Sequence, residues 1–500
     1  MQFRKTLTAL FAGVTALAAQ AGTDPATLPL EKLTADVVVV GSGGTSMAAA
    51  AAAAEKGAKV IFFEKLGFIG GSSSLSGGAI AAGNSAIQKR MGMNDLTPEG
   101  FIKIWLDDQK RSFPGGNPAF PDVKRLTAIT YEFTKTVDWL ESTVGHAFAD
   151  PRPFGYGGPN YAHAAKKSPI PPSGRGTSEA GGRFVIESLK NHIEKLGVTL
   201  RTGTPVYDLT IVEKDGETRV AGVVAHNSKN RFEVSAKAVV LATGGFAHSR
   251  EMLEKYVPQY APFEKYSVAS VGDTGDGIRM ALEAGAVPYE DAWVIGLRLT
   301  SPDKRLTPTF TTKDKWKDRV FVNEKGERFV NENLPYLTDY VASQKTAWAI
   351  VDSADAKKAE LLKNCKDESL VVGAPDWKSL AKKMGVPENA LHDTMTAYNR
   401  ACETGDDKAF QKPKTYLKPF LKAPFYAVRV VPQTGGTMGG VKVNDKFQVL
   451  RADGSVIKGL YAGGEVVNRP YYNRVYTSGT GLGVAYTSGR IAGTYAADEK

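Results

Sequence analysis

Five hundred residues exceed one minimal domain and leave ample chain to bury a large core. With 42% hydrophobic and 23% charged residues, the composition excludes a disordered chain, a collagen-like chain and a polytopic membrane protein. The net charge of +10 comes from dispersed lysines and arginines with no basic run interleaved with aromatics, which argues against a nucleic-acid site and leaves a mild field that attracts anions. Glycine, at 52 residues, exceeds its usual share of about 7%, and much of it is clustered.

Residues 1–21 read as a secretory signal peptide: Arg4 and Lys5 open it, Thr6 to Ala18 is mostly apolar, and Ala19-Gln20-Ala21 is a small-x-small cleavage site. No twin-arginine pair is present, so general export to the periplasm is the expectation, and the mature chain carries about +8. No later segment is long and apolar enough to span a bilayer, so stable membrane insertion is not expected.

Ala35 to Val40 is a continuous apolar run that predicts a buried parallel strand. It enters Gly41-Ser42-Gly43-Gly44-Thr45-Ser46, followed by an alanine-rich helix from Met47 to Lys56 and a second strand, Ala58 to Phe63, ending at Glu64. Such a βαβ unit binds a dinucleotide. Glycines let backbone approach the pyrophosphate, the helix N-terminus supplies positive potential, and an acid 23 residues after the first glycine accepts from ribose hydroxyls. Ser46 stands where the fingerprint has its third glycine, and is small enough for close helix packing.

Further glycine turns follow at Gly70-Gly71-Ser72, Gly77-Gly78, Gly244-Gly245 after the strand Ala238 to Thr243, and Gly463-Gly464-Glu465 after Gly459-Leu-Tyr-Ala. Gly479-Thr-Gly-Leu482-Gly483 then opens a last helix. Turns spread over the whole chain suit a cofactor longer than a nicotinamide site needs, and FAD is predicted. The six histidines show no metal-ligand spacing, so no metal is predicted; His163, in the Gly/Pro-rich loop from Pro151 to Gly182, is the one to watch. Cys365 and Cys402 are the only cysteines, and no Cys-x-x-Cys-His is present to attach a c-type haem.

Seven ordered motifs together resemble the soluble, periplasmic fumarate reductase and flavocytochrome c flavoproteins, a group with urocanate and methacrylate reductases and, more distantly, 3-ketosteroid dehydrogenases. They are Val37-Val-Val-Val-Gly-Ser-Gly-Gly44, the Glu64-Lys65 to Gly70-Gly71 step, Ala242-Thr243-Gly244-Gly245, Thr274-Gly-Asp276-Gly, Phe321 to Glu332 (Phe-Val-Asn-Glu-Lys-Gly-Glu-Arg-Phe-Val-Asn-Glu), Thr437-Met-Gly-Gly and Gly459 to Glu465. The resemblance implies an α/β protein: a Rossmann-like FAD-binding domain of glutathione-reductase type in two stretches, 22–261 and 420–500, with an inserted α+β clamp at 262–419. It adds Thr45, Ser72, Gly78, Val206, Asp276 and Leu482 to the cofactor contacts. No histidine lies between Gly67 and Lys89, where membrane-bound relatives attach FAD, so non-covalent FAD is expected.

Residue by residue, the family's substrate arginine corresponds to Arg474, with Arg469 as a neighbouring alternative. The two carboxylate-binding histidines fall on Ser270 and on Gly435-Gly436, the proton-donating arginine on Tyr336, and the relay arginine and glutamate on Lys315 and Thr312. A site without those histidines is not built for two carboxylates, and the glycine pair is expected to open room for a larger substituent. Tyr336 and Tyr476 are the tyrosines expected at the substrate. The resemblance implies hydride transfer from flavin N5 to an activated C=C bond of a small or aryl-substituted unsaturated carboxylate, with electrons from a separate c-type cytochrome. A ketosteroid-type dehydrogenase, a reductase of a non-alkene acceptor and a flavin electron carrier without turnover stay open alternatives.

Overall fold

A computed structural model describes residues 27–110, 115–153, 159–166, 181–214, 217–303, 306, 317–334 and 337–500. Its strands in chain order are β1 (Leu30–Val40), β2 (Val60–Phe63), β3 (Ile80–Ala81), β4 (Ala162–His163), β5 (Thr199–Arg201), β6 (Val206–Lys214), β7 (Glu217–His226), β8 (Arg231–Leu241), β9 (Trp293–Thr300), β10 (Val320–Asn323), β11 (Ala347–Val351), β12 (Val371–Ala374), β13 (Phe425–Arg429), β14 (Val431–Met438), β15 (Gln448–Leu450) and β16 (Val456–Ala462).

β16, β8, β1, β2 and β5 lie side by side in parallel, so the ends of β1, β2, β8 and β16 point the same way. The run Val37 to Val40 is buried on both faces, which explains its lack of alternation. β6, β7 and β8 form an antiparallel meander, and β15 pairs antiparallel with β16. The helix Gly44–Glu55 is buried along its whole length up to Ala54, and only small side chains permit that. It packs against the helix Thr480–Ala496, where a Cβ at Gly489 or Gly493 would fall 2.1 Å from the carbonyl oxygens of Thr45 or Ala49. The two helices meet backbone to backbone, holding the glycine turn at the N-terminus of the first.

The cap is a four-stranded antiparallel sheet in the order β10, β11, β13, β12, with the helices Trp377–Met384 and Glu388–Thr404 packed on it. The Phe321 to Glu332 motif is structural here. Asn323 Oδ1 accepts from the Lys325 and Glu327 N–H groups and closes the turn. Arg328 pairs with Glu332 and Asp407 at 2.8 Å each, and Lys412 Nζ lies 3.1 Å from Glu332, all four side chains being buried.

The cap boundaries differ from those read in the sequence. Its apolar clusters run from Leu299 to Val430, not over 262–419. The helix Asp276–Glu283 is amphipathic and buries Ile278, Met280 and Ala281 in the nucleotide-domain core, while β13, beyond 420, belongs to the cap sheet. The domains are joined by β9 and β14, an antiparallel ribbon with two register shifts. Gln433 pairs with Arg298 but Thr434 with Gly296, which leaves Leu297 as an extra residue on β9; Thr437 then pairs with Val294, so the second extra residue falls in Gly435-Gly436. Cys365 and Cys402 are free thiols.

Candidate active site

A cavity of about 730 Å³ opens over the strand ends and reaches the ribbon between the domains. The turn after β1 lines it from Gly41 to Thr45, Glu64 and Lys65 line it after β2, Ala242, Thr243 and Gly244 after β8, and Gly464 and Glu465 after β16. Gly71, Ser72, Val206, Asp276 and Leu482 complete that wall. Of the residues expected to hold the cofactor, Gly70 and Gly78 stand behind the wall, where the Gly70 N–H donates to Ser42 Oγ at 3.0 Å.

The cradle has the form an FAD pyrophosphate requires. Gly41, at φ +105°, brings β1 so close to β8 that a Cβ would lie 2.5 Å from the Ala242 carbonyl oxygen, and a Cβ on Gly44 would lie 2.7 Å from the Tyr486 ring. Backbone N–H groups at a helix start form an anion site, and here the Gly44 N–H donates to Ser73 Oγ at 2.9 Å across the turn. Glu64 is buried and takes the Leu66 N–H at 2.6 Å, and burial raises its pKa. Lys65 is neutralised by Asp276 at 2.6 Å. Asp273 and Glu465 flank the Gly244-Gly245 turn; a Cβ on Gly244 would meet Asp273 at 2.3 Å, and one on Gly245 would meet Glu465 at 2.5 Å. Burial pushes both carboxyl groups upward, aided at Asp273 by the Glu64 and Asp276 charges and at Glu465 by the Asp273 charge, while Ser72 donates to Asp273 and the Thr437 N–H to Glu465.

At the other end the placement departs from the sequence reading. Ser270 lines the cavity beside the cradle: its N–H donates to Ser72 Oγ at 2.8 Å and its hydroxyl accepts from Gly272 N–H at 3.2 Å. The space opened by Gly435-Gly436 is already filled. A Cβ on Gly435 would lie 2.5 Å from Leu297 Cδ1, and one on Gly436 2.5 Å from Glu465 Oε1. Ile295, Leu297, Arg298 and Gly435 line the cavity here, as do Val268, Arg152, Tyr472 and Tyr476. Leu297, Arg298 and Gln433 escaped the sequence reading; an arginine inside the apolar strand Trp293–Thr300 was the available signal.

Arg474 does not line the cavity. Its guanidinium carbon sits 4.1 Å over the Trp293 ring, and the same indole donates to Asp339 Oδ1 at 3.1 Å. The buried Tyr260 hydroxyl donates to that carboxylate from the nucleotide domain, and burial pushes Asp339 up to about 6 despite the nearby Arg474 charge. Arg469 is a packing residue: fully buried, it pairs with Asp291 at 2.8 Å and lies 3.8 Å over Phe120. His163 is structural as well, with Ser85 Oγ at 2.8 Å and the Tyr161 carbonyl at 3.0 Å on its two nitrogens; burial lowers its imidazole to about 4. Tyr336, Lys315 and Thr312 lie outside the described residues. Among the described residues no group of side chains has the makings of a metal site, no histidine lines the cavity, and no helix is long and apolar enough to cross a membrane.

Parallel strand ends, a glycine cradle and a separate cap define a dinucleotide-dependent flavoprotein. A family model described as an FAD binding domain matches residues 36–482. Probable fumarate reductase Ifc3 of Shewanella frigidimarina is 30% identical over 469 residues, covering 93% of this chain and 75% of that protein. Vinyl phenol reductase of Lactiplantibacillus plantarum is 28% identical over 503 residues, covering 92% and 96%. The open conformation of a flavocytochrome c3 fumarate reductase superimposes with a TM-score of 0.70 at 29% identity, over 93% of this chain and 78% of that one. The chain belongs to the FAD-binding flavoprotein family that includes the fumarate reductases. It binds FAD and is a fumarate reductase-like oxidoreductase acting on CH–CH bonds.

Proposed function

We propose that the protein is an exported, periplasmic reductase that saturates the activated C=C bond of a small or aryl-substituted α,β-unsaturated carboxylate, fumarate not being the preferred one. The observation that carries this reading is the mixed wall opposite the cradle, where Ile295, Leu297 and Val268 are apolar and Arg298 and Arg152 are cationic. Such a wall suits a substrate with one charged end and one flat apolar end. Bound FAD, held non-covalently, supplies the hydride for the β-carbon. In this reading Tyr336, three residues before Asp339, protonates the α-carbon with Lys315 behind it. The electron donor in this reading is a separate c-type cytochrome, which the lack of a Cys-x-x-Cys-His haem-attachment motif in the chain supports.

A ketosteroid-type dehydrogenation is a second reading, favoured by Tyr472 and Tyr476 on the wall; two arginines beside them weigh against a neutral steroid. The test is turnover by purified holoprotein with reduced viologen and a panel of fumarate, urocanate, methacrylate, cinnamate, vinyl phenol, steroid and sulfoxide. Reduction of a monocarboxylate faster than fumarate is expected. Fumarate turned over as fast as the best substrate, or no unsaturated acid reduced at all, would sink the proposal.

A further inference from the structure

β9 crosses the seam between the two domains. Ile295 packs in the nucleotide-domain core and Leu299 in the cap core, so Gly296, Leu297 and Arg298 span the junction. On a regular strand, consecutive side chains point to opposite faces. Here Leu297 and Arg298 both line the cavity, because the register shift at Leu297 re-aims one of them. The Arg298 Nε donates to Gln433 Oε1 at 2.6 Å, which orients the guanidinium.

Arg298 also differs from the molecule's other well-placed arginines. Arg328 and Arg469 are buried and each is neutralised by a carboxylate. Arg298 is exposed to the cavity, and among the described residues no carboxylate pairs with it. With Nε held by Gln433, the two Nη groups are left to donate together, a geometry that matches a carboxylate.

We propose that Arg298, oriented by Gln433, is the residue that binds the substrate's carboxylate, with Leu297 packing against the carbon skeleton beside it. The inference rests on the reductase reading for the identity of the ligand, but its test does not require turnover. Holoprotein is titrated with the saturated acid 3-phenylpropanoate and with its neutral amide while the flavin absorbance is followed. Arg298→Ala is expected to weaken the acid by roughly 10- to 100-fold, the range of a lost charge-assisted hydrogen bond, and to leave the amide within about twofold. Arg298→Lys restores part of the loss, and Gln433→Leu weakens the acid by less than Arg298→Ala does. Equal losses for acid and amide, an unchanged acid affinity, or no response of the wild type to the acid would each overturn the assignment. Acid binding that depends on Arg298, with no reduction of any unsaturated acid, would refute the reductase reading and leave the anion site standing.

Discussion

The cradle and the seam are both rich in glycine, yet the glycines meet different neighbours. At Gly41 in the cradle the missing side chain would strike backbone, the Ala242 carbonyl oxygen, whereas at Gly44 and Gly244 it would strike the Tyr486 ring and the Asp273 carboxylate. At the seam it would strike another side chain, Leu297 at Gly435 and the Glu465 carboxylate at Gly436. Backbone held in a sheet has nowhere to go. A leucine can be traded away, so Gly435 is one half of an exchangeable pair and Gly41 is not.

The largest effect should come from breaking the cradle. Gly41→Ala combines a positive φ with contact at 2.5 Å to sheet backbone. Purified variant is expected to carry less than about a tenth of the wild-type flavin per chain, a threshold set by the roughly 1–3 kcal/mol that such strain costs, read from the absorbance ratio. Near-full FAD content would show that the β1 and β8 ends are less tightly coupled than their spacing suggests.

The cap is stabilised in another way, by charges buried together. Glu332→Gln leaves Arg328 sharing only Asp407 and leaves Lys412 without a carboxylate. A loss of about 3–5 kcal/mol in cap stability is expected, seen as an early denaturant transition, with FAD content kept because no member of the network lines the cavity. Simultaneous loss of flavin would mean that cap and cradle fold as one unit.

A smaller effect tests the exchange at the seam directly. Gly435→Ala is expected to cost about 1–3 kcal/mol by overpacking against Leu297. Adding Leu297→Ala should recover at least half of it in a double-mutant cycle. Additive costs would show that Gly435 is required for its backbone after all.

The cradle was almost entirely legible in the sequence because its determinants are local: a buried strand, a glycine turn, an alanine helix and an acid at a set distance. Its wall includes most of the residues expected there. The seam was not legible because it is made by pairing β9 with β14, more than a hundred residues apart, and its two register shifts cannot be read from spacing. Counting positions expects Ser270 at the substrate; it lines the cavity, and its loop is tied back to the cradle through Ser72. The cap limits were misread for a related reason, since the helix Asp276–Glu283 and β13 each pack with the domain that their sequence neighbours suggested they had left.

One contact joins both regions and yields the smallest prediction. Glu465 takes a cradle position at the end of β16, yet its carboxylate fills the space beside Gly436 at the seam. Burial and the Asp273 charge push it up to about 8, against an ordinary value near 4.5. A carboxyl whose folded pKa is raised stabilises the fold fully only below its unfolded value, and that contribution is lost as pH rises through the folded pKa. Flavin-free protein is therefore expected to melt lower at pH 8.5 than at pH 5, by a few degrees, the shift that about 1 kcal/mol produces in a large domain. Glu465→Gln, which stays neutral, should flatten this slope. A slope unchanged in Glu465→Gln would mean that the carboxylate is ionised in the folded protein throughout, and that the seam tolerates a charge where glycine has made room for it.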